Sequence, residues 1–238
     1  MGDVMKILKN ILFKIIVFIF ILLIICTSIL LFLGYNYYSN ALKENSLSSR
    51  VNTIRNDNDF VNFDDLNEDY INAVIATEDH RFYEHGAIDP IAIARAIYIN
   101  IKHMELQEGG STITQQVAKN VCFDQNKNAI RKIAEFFAAY DLEKNYNKKE
   151  IFELYVNTAY FGNGYYGIKQ ASEGYYNKEP KELNLSEASM LAGVPNAPSV
   201  YAPTKNPDLA EQRQAQVLKR MLEYGYISQE DFDSVINN

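Results

Sequence analysis

Apolar residues recur with helical spacing along nearly the whole chain, but the first apolar block is continuous. Residues 15–34 contain no charged side chain, and a block of that length can cross a bilayer as one helix. A cleaved signal peptide is the alternative, although its apolar core should be only about 7 to 15 residues long. Lys6, Lys9 and Lys14 precede the block and only Lys43 follows it closely, so the positive-inside rule predicts a cytoplasmic N-terminus.

After this block, apolar positions repeat every three to four residues and predict a mainly α domain. Helix starts are marked by residues whose side chains can cap free backbone N–H groups. These starts are Asp65 with Glu68, Asp89 with Pro90, Ser111, Asn147 with Glu150, Ser186, and Asn206 with Pro207. A further amphipathic stretch covers residues 127–144, three glycines interrupt the chain at 162–167, and Gly225 ends the last long helix.

We therefore expect a cytoplasmic tail over residues 1–14, a transmembrane helix over residues 15–34, and one compact extracytoplasmic domain over residues 45–238. The composition is that of a folded protein, because 47% of the residues are hydrophobic and 22% are charged. The net charge of −7 argues against wrapping of nucleic acid, which needs a basic surface. Cys26 and Cys122 are too few for a disulfide framework or a four-cysteine zinc site.

The first segment with candidate chemistry lies at the end of an apolar helix, where Glu78 and Asp79 occur together. Glu78 follows Val74 by one helical turn, so its side chain is expected to reach a cleft, where a carboxylate can act as a general base. The alternative is a solvated pair of acids at a helix end. His80 and His85 are five residues apart, which does not match the two-histidine spacing of helical zinc sites.

A second segment begins with two glycines followed by a hydroxyl-rich helix start, and Lys119 lies two turns further on. Free N–H groups at a helix N-terminus together with a lysine are typical of an anion site. An ordinary glycine turn with a serine cap is the alternative.

The third segment is the amphipathic stretch that follows. Lys127 and Arg131 share one helix face and repel each other unless an anion or an acid offsets them, although Arg131 and Glu135 could equally form a surface ion pair. A fourth segment, residues 150–157, is an apolar helix that leads into a glycine loop, and its aromatic side chains are more typical of a core than of a sugar platform.

Taken in order, these four segments resemble the peptidoglycan glycosyltransferases of glycosyltransferase family 51, which form the polymerase domain of penicillin-binding proteins and of stand-alone membrane enzymes. The segments are Glu78-Asp79-x-x-Phe82-x-x-His85-x-Gly86, Gly110-Ser111-Thr112-Ile113-Thr114-Gln115-Gln116 with Lys119-Asn120, Arg131-Lys132-x-x-Glu135, and Glu153-x-Tyr155-x-Asn157. The resemblance implies a lysozyme-like, mainly α fold. It also implies polymerisation of lipid II into β-1,4-linked glycan strands, with inversion and release of polyprenyl pyrophosphate.

The resemblance implies a role for each matching residue. Glu78 falls on the general base that takes the proton of the acceptor sugar's 4-hydroxyl. Glu135 falls on a second essential acid that holds a divalent cation, Mg²⁺ or Mn²⁺, or orients the pyrophosphate. The positions implied to contact donor phosphates are Lys119, Lys127, Arg131 and Lys132, and those implied to lie in the binding cleft are Ser111, Thr114 and Gln116.

The implied partners are lipid II, the lipid-linked glycan strand and the membrane, with transpeptidases and other cell-wall synthesis proteins as candidate protein partners. No Ser-x-x-Lys or Lys-Thr-Gly motif occurs, so we expect a monofunctional form that lacks a transpeptidase domain. A lytic enzyme of the same lysozyme-like class and a non-catalytic, membrane-anchored cell-wall scaffold are the alternatives. The clustered cations argue against a lytic enzyme, because an uncharged sugar leaving group needs no phosphate contacts.

Overall fold

The computed structural model describes residues 2–104, 109–124 and 128–237. Within these ranges the chain forms α-helices and short 3₁₀ turns, and its β pairing is one isolated bridge between Tyr160 and Tyr166. The mainly α class predicted from the sequence is confirmed. The helices are α1 (Gly2–Ala41), α2 (Leu47–Arg55), α3 (Glu68–Glu78), α4 (Pro90–His103), α5 (Ile113–Cys122), α6 (Ala129–Asn145), α7 (Lys148–Thr158), α8 (Ile168–Tyr176), α9 (Leu185–Gly193), α10 (Pro198–Tyr201), α11 (Pro207–Glu223) and α12 (Gln229–Ile236).

The N-terminal helix α1 is unbroken, and the predicted span over residues 15–34 forms its central part. Its stretch Met5–Ala41 is long and apolar enough to cross a membrane, and among the described residues it is the one helix with that property. The helix continues beyond the predicted span because Gly34 and Tyr38 are buried against α6. Its last two turns therefore belong to the folded domain.

Local capping signals predicted several helix starts correctly. Asp89 caps α4 immediately before Pro90, and its carboxylate accepts from two backbone N–H groups. Asn147 and Glu150 form the predicted capping box of α7.

Three other starts are displaced by one or two residues from the prediction. The observed caps are Asn67 in place of Asp65, Thr112 in place of Ser111 and Asn184 in place of Ser186. Asn67 has a tertiary partner as well, because its side-chain amide donates to the Leu183 carbonyl at 2.8 Å. Contacts between distant segments thus decide among neighbouring residues that could all serve as caps.

The core of the domain is built from α3, α5, α7, α9 and α11. Helix α5 packs on α6 and α7, while α3 packs on α9 and α11. Phe82, Phe152 and Phe161 are fully buried between these helices. These helices leave a cleft between them. It is bordered by the end of α3, by α5, by α6 and by one face of α11.

Candidate active site

The cleft has a volume of about 680 Å³ and a strongly polar lining. It contains six of the nine residues to which the resemblance assigns a role in the site, and they come from α3, α5, α6 and the segment before α5. Those six residues are Glu78, Ser111, Gln116, Lys119, Lys132 and Glu135. The structure thus places a carboxylate at the end of one helix in the same cavity as cationic side chains from two others.

Glu78 is the last residue of α3, and its side chain is 10% exposed. Gln116 Nε2 donates to Glu78 Oε2 at 2.7 Å, and an Arg213 guanidinium nitrogen lies 3.7 Å from Oε1. The alternative of a solvated helix end is wrong for Glu78, because the side chain is held inside the cleft from two sides. A carboxylate fixed in this way can accept a proton from a bound hydroxyl group.

The neighbouring Asp79 also lines the cleft, but its carboxylate is engaged in contacts that hold the surrounding structure together. Its carboxylate accepts from the Ile113 backbone N–H at 3.0 Å and pairs with His85 Nε2 at 2.7 Å. Burial opposes the charged form of His85, but the contacts with Asp79 and with the Gly86 carbonyl outweigh burial and raise its pKa. His85 is thus a packed, bonded histidine.

Asp79, His85 and Asp89 bring potential metal ligands within 4.8 Å of one another. Every one of these side chains already has protein partners, since Asp89 accepts from two backbone N–H groups and pairs with Arg81 at 3.1 Å. The arrangement connects α3, α4 and α5 through the protein's own groups, and we assign no metal to it.

The cationic part of the cleft is arranged around Glu135, which is only 1% exposed. Its Oε2 accepts from Lys132 Nζ at 2.9 Å, and its Oε1 lies 3.2 Å from Arg131 Nε. Lys132 also donates to the Ser111 hydroxyl at 2.9 Å, which ties α6 to the segment before α5. Glu135 therefore holds Lys132 at one side of the cavity and Arg131 behind it.

Lys119 extends from α5 into the same region. Burial lowers its pKa from the ordinary 10.5, while the Glu135 carboxylate acts in the opposite direction. Among the described residues the ammonium group has no hydrogen bond or ion pair that would neutralise it. A partly buried cation without such a contact provides a strong site for an anionic group.

The expected anion site at the helix N-terminus is largely occupied by the protein itself. Asp79 accepts from the N–H group of Ile113, and the Thr112 hydroxyl accepts from that of Gln115. The cationic side chains, and not these N–H groups, are therefore available to a bound anion.

Three predicted residues are not among those that line the cleft. Thr114 is fully buried, and its hydroxyl donates to Glu143 at 2.5 Å, because it lies on the face of α5 that turns away from the cavity. Arg131 stands behind Glu135, and another of its guanidinium nitrogens donates to the Asp124 carbonyl at 2.8 Å. Lys127 lies outside the described residues.

The fourth segment, residues 150–157, lies in α7 and makes contacts that hold the fold together. Asn157 exchanges hydrogen bonds with the backbone of Val61 at 2.8 and 2.9 Å, and Glu153 accepts from the Phe63 N–H at 2.9 Å. These contacts hold the segment before α3 against α7 and so support Glu78 indirectly.

Sequence reasoning missed the contribution of α11. Arg213, Gln216, Lys219, Arg220 and Glu223 line the cleft opposite α5. Their spacing of three to four residues is the available signal, because it places them on one face of the helix.

Arg213 can occupy its place because Gly193, which packs against it, has no side chain. A Cβ atom at Gly193 would lie 2.9 Å from its Cγ atom. At the end of α11, Tyr224 stacks on His80 with ring centroids 4.5 Å apart, and burial lowers the pKa of this histidine. His80 thus forms part of the cleft wall as a packed aromatic group.

The residues around Glu135 do not fit a divalent cation held by that carboxylate. Such ions prefer several oxygen ligands, whereas both Glu135 oxygens already face the cations Arg131 and Lys132. The divalent cation stays a prediction.

Comparisons with known proteins identify the family to which the chain belongs. A family model described as transglycosylase matches residues 44–222. Penicillin-binding protein 1A of Aquifex aeolicus is 45% identical over 178 residues, which cover 75% of this chain and 24% of that protein. A protein of Cupriavidus necator whose name assigns it to the transglycosylases is 42% identical over 186 residues, covering 78% of this chain and 80% of its own.

Among solved structures, penicillin-binding protein 1A from Haemophilus influenzae aligns at 32% sequence identity with a TM-score of 0.38, covering 53% of this chain and 15% of that one. The chain spans about a quarter of the length of the penicillin-binding proteins it matches.

Proposed function

Since this chain belongs to the transglycosylase family, we propose that it is a peptidoglycan glycosyltransferase that polymerises lipid II into β-1,4-linked glycan strands and releases polyprenyl pyrophosphate. The observation that carries the proposal is one cavity that holds a fixed carboxylate, Glu78, together with the cations Lys119 and Lys132. Transfer of a sugar from a pyrophosphate leaving group needs both kinds of group, because the acceptor hydroxyl must lose a proton and the leaving group must be neutralised.

Glu78 acts as the general base in this proposal. Its carboxylate removes the proton from the acceptor 4-hydroxyl while that oxygen attacks the anomeric carbon of the donor. The bond from that carbon to the phosphate oxygen breaks as the new glycosidic bond forms. One displacement converts an α-linked donor into a β-linked product, so no covalent enzyme intermediate is required.

The leaving pyrophosphate gains negative charge as this bond breaks, and cationic side chains stabilise it. In this proposal Lys119 and Lys132, which line the cleft, contact the leaving pyrophosphate. Arg131 acts indirectly, because it pairs with Glu135, which in turn pairs with Lys132. Gln116 keeps the Glu78 carboxylate oriented.

Membrane anchoring through α1 fits a substrate with a polyprenyl tail, because the anchor keeps the site close to the lipid surface. We propose that residues 1–14 are cytoplasmic and that the domain lies outside the membrane, where the sequence predicts it.

The proposal is tested by incubating the purified full-length chain with lipid II and, in a separate reaction, with preformed glycan strands, and by separating the products by length. Polymer supports the proposal. Shortening of preformed glycan strands would instead identify a lytic enzyme, and the absence of either activity would favour a scaffold. A parallel reaction with EDTA measures how much of the rate depends on a divalent cation.

A further inference from the structure

The end of α1 packs directly on α6, the helix that carries the cations and Glu135. Gly34 is buried at this crossing. A Cβ atom placed there would lie 2.4 Å from Ile133 Cγ2, 2.8 Å from Ile133 Cβ and 3.4 Å from the Ala134 backbone nitrogen. Contacts below 3.0 Å require atoms to move, so the observed approach of the two helices depends on glycine.

Aromatic side chains extend this contact along α1. The rings of Tyr35 and Tyr38 lie 5.5 Å and 6.5 Å from that of Phe137, and the Tyr38 hydroxyl donates to the Asp141 carboxylate. All of these partners lie on α6. The contact is thus a continuous interface over the last two turns of α1.

A second connection holds the C-terminal end of α1. The guanidinium of Arg50 donates to the Ala41 carbonyl at 2.6 Å and to the Val121 carbonyl at 3.1 Å. Since Val121 belongs to α5, Arg50 of α2 connects the end of α1 to α5, the other helix that lines the cationic side of the cleft.

Helix α6 separates α1 from the cleft. Residues two apart on an α-helix point about 200° away from each other. Ile133 faces α1, and Glu135 accordingly faces the cavity. A displacement of α6 by a larger group at the α1 crossing is therefore transmitted to the residues that hold the anion.

We propose that Gly34 is a positioning residue: by allowing close contact between α1 and α6, it sets where Arg131, Lys132 and Glu135 stand relative to Glu78. The inference rests on the proposed function, because the residues that Gly34 positions are those of the proposed active site. Relief of the 2.4 Å contact to the ordinary 3.4 Å requires a movement of about 1 Å. A misplacement of about that size can cost on the order of 10²-fold in rate.

The test compares Gly34→Ala and Gly34→Val with Ser39→Val, which adds a side chain at an exposed position of the same helix. We measure the Kd for polyprenyl pyrophosphate, kcat/KM with lipid II, and the Tm of the full-length chain. Gly34→Val should weaken binding and lower kcat/KM by at least about tenfold, within the range expected for a 1 Å misplacement. Ser39→Val should change neither.

Helix propensity and packing make opposite predictions for Gly34→Ala. Alanine stabilises a helix relative to glycine, so a loss of pyrophosphate affinity in this variant must come from the contact with α6. Ile133→Ala removes Cγ2, the nearest atom, but keeps Cβ at 2.8 Å, so the double variant should recover part of the affinity lost in Gly34→Ala.

Wild-type affinity and kcat/KM in Gly34→Val would overturn the inference. A loss of activity that follows Tm alone and is not restored by Ile133→Ala would also overturn it, since the role would then be limited to folding. If the wild-type chain binds polyprenyl pyrophosphate in a Gly34-dependent manner but forms no polymer, the proposed function fails while the positioning role stands.

Discussion

Replacing Glu78 with glutamine removes the proposed base and the 3.7 Å ion pair with Arg213, but it keeps the hydrogen bond to Gln116. The carbonyl oxygen of glutamine can accept the 2.7 Å hydrogen bond that Gln116 now donates to Glu78. The amide cannot take a proton from the acceptor hydroxyl. Loss of a general base costs about 10² to 10⁴ in rate, or roughly 2.7 to 5.4 kcal/mol of transition-state stabilisation. We expect that loss in kcat, with little change in donor binding or in Tm.

The assay is the initial rate of polymer formation from lipid II, with thermal unfolding measured on the same samples. Asp79→Asn is the matched control, because Asp79 is the adjacent acid and accepts from the Ile113 N–H while pairing with His85. An asparagine leaves one of these partners unsatisfied in a buried place, at a cost of about 1–3 kcal/mol. Its Tm should therefore fall by roughly 2 to 12 °C at about 2–4 °C per kcal/mol.

The two neighbouring acids should thus give opposite patterns, with Glu78→Gln losing rate and Asp79→Asn losing stability. Retention of more than about a tenth of the wild-type rate in Glu78→Gln would refute its role as the base, given the size of the effect expected for one. A fall in Tm as large as that of Asp79→Asn would show that Glu78 is structural.

Lys119→Ala and Arg131→Ala should each weaken donor binding more than acceptor binding, because the donor brings the pyrophosphate; equal weakening of both substrates in binding assays would contradict this. Since burial lowers the pKa of Lys119, the cationic form is lost at a lower pH than for an exposed lysine. Donor affinity measured against rising pH should fall correspondingly early, and Lys119→Arg should move the fall to higher pH. Glu135→Gln should reduce polymerisation severely, whereas a change in Tm alone would leave Glu135 only as an ion-pair partner. Protease added to intact spheroplasts should digest the region after Gly34 and spare the N-terminal tail, and activity of a C-terminal reporter that works only in the cytoplasm would rule out this orientation.

Features that depend on a few neighbouring residues could be predicted from the sequence. Asp89 and Asn147 cap their helices as expected, because the donors they satisfy lie two or three residues away. Glu78 could be placed in a cleft because one helical turn relates it to a buried residue.

Features that depend on distant segments could not be predicted in the same way. The choice of Asn67 as a cap involves a bond to Leu183, and the orientation of Thr114 is set by Glu143 on another helix. Arg213 reaches Glu78 across more than a hundred residues of chain, through a gap left by Gly193. The spacing within α11 shows which residues share a face of the helix, but it does not show which part of the protein that face contacts.

The unbroken course of α1 from Gly2 to Ala41 has a consequence for the distance of the cleft from the lipid surface. Each residue of an α-helix adds about 1.5 Å and turns the chain by about 100°. One residue inserted before Gly34 would rotate the whole apolar span relative to α6 while leaving the domain unchanged. Seven inserted residues would return it to within about 20° of its original phase. Because residues 15–34 are uncharged on every side, such a rotation leaves the span able to lie in lipid. An exchanged anchor must therefore match mainly in length, which sets the distance of the cleft from the lipid surface.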